Sequence, residues 1–360
     1  MATGFKEFHK TFFNKRILIT GHTGFKGSWL TAFLSTYGCQ IYGVSKNIPT
    51  NPSHYKLLKI KNLKNFKADI TNLKLLKKII FKVQPDYIFH LAAQSLVKTS
   101  YQDPNMTFTT NSIGTLNVLE ALRFLKKKCT VVMITSDKSY KNLEIKRGYR
   151  ETDLIGGEDP YSASKGCAEL IIQSYIDSYF KKNNKILIAV GRAGNVIGGG
   201  DWSKDRLIPD CFKSWSKNKV SLIRNPNSTR PWQHVIEVIY GYILLAKKLN
   251  KNQKLHGQVF NFGPFYKKNY KVIELLKFFK LYWNKCKWKI KKSKTNQKES
   301  ILLKLNSSKA NKILRWKTTL SLKESLIYTL YWYKNYYLKK SKTVTFEQIN
   351  NYKKKLKIYK

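Results

Sequence analysis

The 360-residue chain is poor in acidic residues and in cysteine, and it has no long apolar run. Its five cysteines are scattered and form no CxxC pair, which argues against a disulfide framework and against a zinc site. No apolar run approaches the ~18 residues that a membrane helix needs. The first residues also lack the pattern of a secretory signal. We therefore expect a cytoplasmic protein with no metal site and no membrane partner.

The shortage of acidic residues leaves a formal net charge of +47. Such a charge would suit a nucleic-acid-binding protein. However, the sequence contains 9 arginines against 59 lysines, and nucleic-acid recognition relies heavily on arginine. Lysine is spread over the whole length beside many Asn and Ile residues, a bias that AT-rich codons would produce. We therefore expect no nucleic-acid partner, although the excess charge could attract anionic substrates.

Apolar strand patterns alternate with helical patterns over the first half of the chain. This alternation predicts βαβ units and an α/β fold of Rossmann type, with a doubly wound parallel sheet. Strands are predicted at residues 16–20, 40–45, 65–70, 86–93, 130–136 and 185–196. Helices are predicted at residues 28–38, 72–83, 104–126 and 160–182. We place this domain at residues 12–192, with a return segment near 236–262.

The sequence becomes rich in glycine and polar residues after residue 193. Helical patterns follow near residues 236–250, 271–282 and 321–338. We predict that residues 193–345 form a smaller, interleaved lobe that binds the substrate. Residues 346–360 are predicted to be a basic tail, and its end, "NNYKKKLKIYK", is predicted to be frayed.

The string "ITGHTGFKG" links the first predicted strand to the first predicted helix. Gly21, Gly24 and Gly27 recur at every third position, so the backbone can approach a pyrophosphate closely and offer it free N–H groups. This spacing, directly after the first strand, favours a dinucleotide site that also includes Thr23, Phe25 and Lys26.

The end of the second strand bears on which dinucleotide binds there. Asn47 could bond a ribose 2′-hydroxyl, whereas Lys46 could suit a 2′-phosphate, so NAD and NADP both stay open at this position. Further cofactor contacts are predicted beside the adenine, beside the pyrophosphate and on the following helix, at Asp69, Ile70, Leu91, Ala92, Ala93, Gln94 and Asn111.

Tyr161 and Lys165 are four residues apart in "DPYSASKG", so both project from one face of a helix. A lysine ammonium near a phenol lowers the tyrosine pKa from ~10. The pair predicts a general base that can take a proton from a sugar hydroxyl. We therefore assign Tyr161 and Lys165 to catalysis and to cofactor binding.

The strand "VVMITS" leads directly into polar residues, namely Ser136, Asp137 and Lys138. Ser136 is predicted to bond the hydroxyl that Tyr161 deprotonates. Oxidation of an alcohol needs no further acid and base, so Asp137 and Lys138 indicate a second event, such as elimination of water. A protonated Asp137 could donate to a departing hydroxyl while a base removes a proton from the neighbouring carbon.

At these residues the chain resembles the extended short-chain dehydrogenase/reductase family, in particular the sugar-nucleotide 4,6-dehydratases. The matching strings include "TGHTGFKGSWL", "FHLAAQSLV", "TSDKSY", "GRAGNVIGGGDWSKDRLIPD" and "RPWQHVIE". Most members carry Asp-Glu where this chain has Asp137 and Lys138, and the members that act on CDP-glucose carry Asp-Lys. Lys138 could act as the C5 base only if desolvation lowered its pKa; otherwise it orients Asp137 and another group acts.

The resemblance implies a hydro-lyase that converts CDP-glucose into CDP-4-keto-6-deoxyglucose, a deoxysugar precursor for bacterial surface polysaccharides. In the implied cycle, C4 is oxidised, water leaves across C5 and C6, and hydride returns to C6. Because the cofactor stays bound throughout, the resemblance favours NAD. It also implies a homodimer that pairs the helices at 104–126 and 160–182.

Polar residues at the start of the second lobe are the substrate-binding candidates. Arginine gives bidentate contacts to phosphate, so Arg206 and Arg230 are predicted on the diphosphate. Asn195, Asp201 and Trp202 are predicted to face the sugar or the cytosine. The alternatives are another sugar-nucleotide dehydratase or a 4-epimerase and, from a different class, a non-catalytic protein that binds NAD or nucleic acid on the same fold.

Overall fold

A parallel sheet forms the centre of the protein. The computed structural model describes residues 3–182, 185–265, 270–291, 304–339 and 344–358. The first part contains α1 (Thr3–Phe12), β1 (Arg16–Thr20), α2 (Phe25–Ser35), β2 (Gln40–Ser45), α3 (His54–Leu58), β3 (Leu63–Lys67), α4 (Leu73–Val83), β4 (Tyr87–His90), α5 (Val97–Gln102), α6 (Pro104–Phe108), α7 (Gly114–Arg123), β5 (Cys129–Ser136), α8 (Pro160–Tyr175) and β6 (Ile186–Ala193). The second part contains β7 (Val196–Ile197), α9 (Leu207–Ser216), β8 (Ser221–Ile223), β9 (Thr229–Arg230), β10 (Gln233–His234), α10 (Val235–Lys251), β11 (Val259–Phe262), β12 (Tyr270–Lys271), α11 (Val272–Tyr282), β13 (Trp288–Ile290), α12 (Leu322–Lys334) and α13 (Val344–Ile358).

The central sheet has seven parallel strands in the order β11-β6-β5-β4-β1-β2-β3. Successive strands run outward from β1 in one direction as far as β3, and β4 then lies on the other side of β1. A crevice forms at the carboxyl ends of the strands where the order reverses, and this is where α/β sheets bind their ligands. The predicted α/β fold with a doubly wound parallel sheet is confirmed.

Helices cover both faces of the sheet, which explains the unbroken apolar run in β5. Val132 and Ile134 face a core shared with α2 and α10. Val131 and Met133 face the opposite core, shared with α4, α7 and α8. The strand is therefore buried along its whole length and delivers its polar end, Ser136, to the crevice.

Most predicted elements of the first half are present, although several bounds differ: the predicted helix at 28–38 is at Phe25–Ser35, and the predicted strand at 86–93 is at Tyr87–His90. The third strand begins and ends earlier than predicted, at Leu63–Lys67. The predicted helix at 104–126 is interrupted by a π-helical turn at Thr109–Ile113 between α6 and α7. Turns of this kind often occur at functional sites, and this one contains Asn111.

The prediction of a basic tail with a frayed end is wrong up to residue 358, because residues 346–358 belong to α13. Buried residues recur at helical spacing along it, at Val344, Ile349, Tyr352 and Leu356. The hydroxyl of Tyr352 donates to Glu237 Oε2 over 2.6 Å. The run of lysines at residues 353–355 obscured this apolar stripe, which holds the helix on the body of the protein.

The segment near residues 236–262, predicted to return to the first domain, supplies α10 and edge strand β11. Parts of the predicted second lobe lie outside the described residues, and the domain boundaries stay a prediction. None of the helices in the described part of the chain is long and apolar enough to cross a membrane.

Candidate active site

The glycine loop after β1 packs directly on the segment after β4. Gly21 has a positive φ of 74°, and a Cβ there would lie 2.7 Å from the backbone nitrogen of Ala92. A Cβ on Gly27 would lie 2.1 Å from the carbonyl oxygen of Gly21. Both positions therefore require glycine. The helix α2 begins just after Gly24 with no side-chain cap, so its first N–H groups can bind an anion.

The end of β2 lies beside the end of β3, where the cofactor ribose is predicted. Lys46 Nζ lies 2.9 Å from Asp69 Oδ2. Burial alone would raise the pKa of Asp69, but the bonds from Lys46 and Thr71 hold it below its usual value. Since Lys46 is already paired with a carboxylate, a 2′-phosphate would meet that negative charge. The geometry therefore fits NAD better than NADP. Asn47 is exposed next to this pair, and its carbonyl oxygen accepts a bond from Thr23 Oγ1.

Asn111 connects the predicted pyrophosphate segment to α8. Its Oδ1 accepts the N–H of Gln94 over 2.8 Å, and its Nδ2 donates to the carbonyl oxygen of Gln94 and to Ser164 Oγ. The amide thus holds residues 91–94 against the start of α8. Its predicted direct contact with the cofactor stays a prediction.

The predicted catalytic residues meet where β5 ends and α8 begins. Tyr161 and Ser136 share a side-chain hydrogen bond. Ser136 Oγ donates to Asp137 Oδ1 over 3.0 Å and accepts the N–H of Lys138. Asp159 caps α8 by accepting the N–H of Ser162 over 3.0 Å, which fixes Tyr161 in the first turn. The structure therefore brings Ser136, Asp137 and Tyr161 into one chain of hydrogen bonds.

The electrostatics of the tyrosine differ from the sequence prediction. We predicted a lowered pKa for Tyr161, but burial raises it, and the bond with Ser136 offsets this only in part. Lys165 is also buried, and burial lowers its pKa to about 8 although the charge of Glu169 opposes the change. The chain by itself thus keeps the phenol protonated, because desolvation outweighs the lysine one turn away.

The carboxyl group of Asp137 is almost completely buried, with 2% of its surface exposed. Its Oδ2 has no hydrogen-bond partner among the described residues and lies 3.0 Å from where a Cβ on Gly194 would be. Burial raises the pKa of Asp137, although Lys138, Ser136 and Lys26 each lower it. A buried carboxyl group with a raised pKa and one unpaired oxygen can act as a general acid.

Lys26 belongs to the same charged cluster, a position that the sequence analysis does not predict. We assigned it to the cofactor loop, but its ammonium group interacts electrostatically with Arg206, Asp137, Lys165 and Asp201. Burial, followed by the charge of Arg206, lowers the pKa of Lys26 to about 8. A charged residue within the otherwise uncharged string "GHTGFKG" was the available signal.

The predicted substrate residues divide into two groups. Arg206 lies close enough to the catalytic cluster for its charge to lower the pKa of Tyr161. Asp201 is buried, and its Oδ2 lies 3.1 Å from Arg206 Nη1 while its Oδ1 accepts the N–H of Ser203. Asp201 therefore orients Arg206. Asn195 is half-buried between β6 and β7, and Arg230 is half-buried with Nη1 bonded to the carbonyl oxygen of Thr229.

Trp202 packs within aromatic side chains rather than in an open cleft. Only 9% of its surface is exposed, and its ring centre lies 4.9 Å from that of Tyr336. Its Nε1 donates to the hydroxyl of Tyr337 over 3.1 Å. This placement makes Trp202 part of an aromatic wall next to Asp201, and its predicted contact with the sugar or the base stays a prediction.

The sequence matches the model of the family described as GDP-mannose 4,6 dehydratase over residues 18–328. The chain belongs to this family. It is 42% identical over 327 residues to the CDP-glucose 4,6-dehydratase of Salmonella typhimurium, which covers 89% of this chain and 90% of the relative.

Solved structures show the same fold as this dehydratase family member. An epimerase from Methanothermobacter thermautotrophicus has a TM-score of 0.81 at 23% identity, covering 96% of this chain and 97% of its own. The dTDP-glucose 4,6-dehydratase of Bacillus anthracis, solved in complex with NAD, has a TM-score of 0.73 at 21% identity, covering 89% and 97%. At these identities the likeness concerns the fold alone.

Proposed function

We propose that this family member is an NAD-dependent CDP-glucose 4,6-dehydratase, which forms CDP-4-keto-6-deoxyglucose. The observation that carries the proposal is the buried, unpaired Oδ2 of Asp137 beside the hydrogen bond between Tyr161 and Ser136. Oxidation alone would not need that acid, whereas dehydration does. The 42% identical relative supports CDP-glucose as the substrate.

The residues around the crevice fit NAD. The glycine loop and the uncapped start of α2 would hold the pyrophosphate, and Asn47 with the Lys46–Asp69 pair would meet the adenosine ribose. When bound, NAD supplies the reversible hydride acceptor that a dehydration through a 4-ketone requires. The remaining chemistry belongs to side chains of this chain.

Tyr161 is the proposed base for the C4 hydroxyl, and Ser136 is its hydrogen-bond partner. In the chain alone burial keeps the phenol protonated, so its deprotonation depends on positive charge brought close to it. The ammonium of Lys165 lies one helical turn from the phenol, and a nicotinamide cation would add a second positive charge. These charges together would make Tyr161 a base only in the loaded site.

Asp137 is the proposed acid that protonates the departing C6 hydroxyl. Its raised pKa keeps a proton available, and its free Oδ2 is the atom that would deliver it. The candidates for the base at C5 are the two lysines whose charges lower the pKa of Asp137, namely Lys138 and Lys26. Lys138 follows Asp137 in the chain, and the lowered pKa of Lys26 makes its neutral form more accessible.

Arg206 is the residue that the geometry favours most for the sugar diphosphate. Asp201 fixes Nη1 of its guanidinium group, and in the described part of the chain no side chain is shown bonded to its other donors, which would suit an anion. Arg230 and Asn195 line the same start of the second lobe and complete the proposed contacts. Asp201 would act on the substrate through Arg206.

We propose a homodimer in which the α6–α7 and α8 regions pair with their copies. Exposed apolar side chains on both regions support this, namely Ile113, Phe124, Leu170 and Tyr179.

All five cysteines are free, which supports the prediction of a reducing cytoplasm.

The test is an assay with CDP-glucose in which a 4-keto product is detected by its absorbance in alkali. We expect product with the wild type and about 10²–10⁴-fold less with Asp137→Asn, since asparagine cannot donate the proton. The variant should still bind NAD, because Asp137 is not part of the glycine loop. Its bound cofactor should accumulate in the reduced form after C4 oxidation.

Other outcomes of the assay would identify the alternatives. Turnover of UDP-glucose to a 4-epimer without a keto product would identify a 4-epimerase, and turnover of only another nucleotide sugar would change the substrate. Tight nucleic-acid binding at physiological salt without any turnover would revive the non-catalytic alternative.

A further inference from the structure

A buried ion pair lies behind the catalytic residues. Glu169 and Arg192 are both buried, and Arg192 donates from Nε to Glu169 Oε1 over 2.8 Å and from Nη2 to Oε2 over 3.1 Å. Glu169 belongs to α8, one turn after Lys165, and Arg192 lies near the end of β6. The pair therefore joins the catalytic helix to the sheet with two parallel bonds.

The ion pair also reaches the strand that carries Asp137. Thr135 Oγ1 donates to Glu169 Oε1 over 2.5 Å, and Thr135 directly precedes Ser136 in β5. Arg192 Nη1 donates to the hydroxyl of Tyr140 over 2.6 Å, and that hydroxyl donates to Asn261 Oδ1 in β11. The carboxylate thus accepts bonds from three donors on two strands, and these bonds fix its position.

The position of Glu169 relative to Lys165 gives it an electrostatic role. Side chains four residues apart on a helix are neighbours, and both of these are buried, so solvent screens them little. Burial disfavours the ammonium form of Lys165, and the charge of Glu169 opposes that effect.

We propose that Glu169, held by Arg192 and Thr135, is a positioning residue that keeps the buried ammonium of Lys165 charged and α8 aligned with the end of β5. This role rests on the proposed function, in which Lys165 must be positive to favour the tyrosinate. Arg192 and Thr135 hold the Glu169 carboxylate and prevent it from turning toward Lys165. Glu169 therefore acts on Lys165 through its charge and forms no ion pair with it, so the ammonium group stays in the site.

Other charged groups around Lys165 act in defined directions. Lys26 in α2 is a like charge and disfavours the ammonium. His90 in β4 is buried, and burial lowers its pKa to about 3, so it stays neutral at physiological pH. Tyr161 on the same helix is protonated in the chain alone. Among the described residues, Glu169 supplies the negative charge that favours the ammonium form of Lys165.

The test measures the titration of Lys165 without relying on turnover. Competitive labelling with a trace of acetic anhydride at several pH values, read peptide by peptide by mass spectrometry, gives the midpoint for Lys165 in the folded protein. In Glu169→Gln we expect this midpoint to fall by more than about half a pH unit, because the neutral amide no longer opposes burial. Asp177→Asn removes an exposed carboxylate just beyond α8 and should leave the midpoint unchanged.

Kinetics provide the second measurement. If CDP-glucose is turned over, the alkaline decline of kcat in Glu169→Gln should move to lower pH, with KM changed less than threefold. A purely structural role would lower kcat at every pH and leave the shape of the profile unchanged. A missing activity in the wild type would contradict the proposed function, whereas the labelling result would still decide the role of Glu169.

A folding defect is handled by a second variant. Glu169→Gln leaves Arg192 buried without its counter-ion, which can unfold the protein. The double variant with Glu169→Gln and Arg192→Gln removes both charges and keeps hydrogen-bonding groups at both positions. The proposal expects a smaller fall of the Lys165 midpoint in it, because the loss of the nearby positive charge of Arg192 partly offsets the loss of Glu169. A folded variant of either kind whose Lys165 titrates as in the wild type would overturn the proposal.

Discussion

The glycine loop and the catalytic corner lie at the same edge of the sheet but are built in opposite ways. At the loop, side chains are missing, so that Gly27 can lie directly against the backbone of Gly21. At the corner, polar side chains are packed under protein, and Asp137, Tyr161 and Lys165 are all buried. The loop binds its ligand with exposed backbone N–H groups, whereas the corner is reactive because desolvation shifts the pKa values of its side chains.

The difference predicts how each region tolerates change. Added volume should damage the loop, since a new atom has no space there. At the corner, substitutions that keep the side-chain volume should leave the protein folded. Its activity should be lost when a single proton donor or acceptor is removed. Small substitutions in the two regions therefore distinguish effects on NAD binding from effects on catalysis.

The largest effect is expected for Tyr161→Phe at the catalytic corner. The ring and its packing are retained, but the hydroxyl that bonds Ser136 is lost, so kcat should fall by about 10²–10⁴-fold. Affinity for NAD, measured by calorimetry, should change less than threefold. Tyr175→Phe removes a hydroxyl from the same helix, where it bonds Glu120, and should retain full activity. Substantial turnover by Tyr161→Phe would assign the base elsewhere.

An intermediate effect is expected for Gly27→Ala in the loop. The new Cβ would lie 2.1 Å from the carbonyl oxygen of Gly21, so the loop must move. Forcing volume into such a site costs about 1–3 kcal/mol, and we expect NAD affinity to fall by about 10–100-fold. Thermal unfolding and calorimetric titration with NAD measure the two quantities.

Gly156→Ala is the matched control for the loop variant. Its Cβ would lie 3.4 Å from the Cβ of Lys141, which is an ordinary contact. We expect unchanged stability and NAD affinity. If Gly27→Ala bound NAD as well as this control, the close approach of the backbone would not be what forms the site.

The smallest effect is expected for Lys46→Ala at the ribose end of the loop. Lys46 is exposed and paired with Asp69, and such surface pairs contribute about 0–1 kcal/mol. NAD affinity should fall less than about fivefold, and NADP should bind no better. Lys251→Ala, which removes another exposed lysine from a pair with Glu7, provides the reference. A tenfold loss of NAD affinity would show that Lys46 itself contacts the cofactor.

The regions differ also in how much of them could be predicted from the sequence. The strands at residues 16–20 and 40–45 have the predicted bounds, because short apolar runs between turn residues define buried strands. The glycine loop and the pair of Tyr161 and Lys165 were predicted from local spacing. The raised pKa of Tyr161 was not predicted, because it depends on burial by distant elements.

Long-range contacts explain the other differences. The run of lysines at residues 353–355 obscured the apolar stripe that the buried residues of α13 form against the rest of the chain. Trp202 packs against aromatic residues more than a hundred positions later in the chain, a packing that its local sequence does not show. Its contact with the substrate stays a prediction. Lys26 interacts with charged residues on other elements, so its place in the catalytic cluster does not follow from its local sequence.

The sequence by itself determined the parallel sheet, the glycine loop and the four-residue spacing of Tyr161 and Lys165, because each depends on periodicity over a few neighbouring residues. Only the tertiary structure decided that Asp137 is buried with a free oxygen, that Lys26 faces it, and that Glu169 is held by Arg192 behind Lys165. These features arise where elements distant in the chain exclude water together, and desolvation then changes the charge of each group.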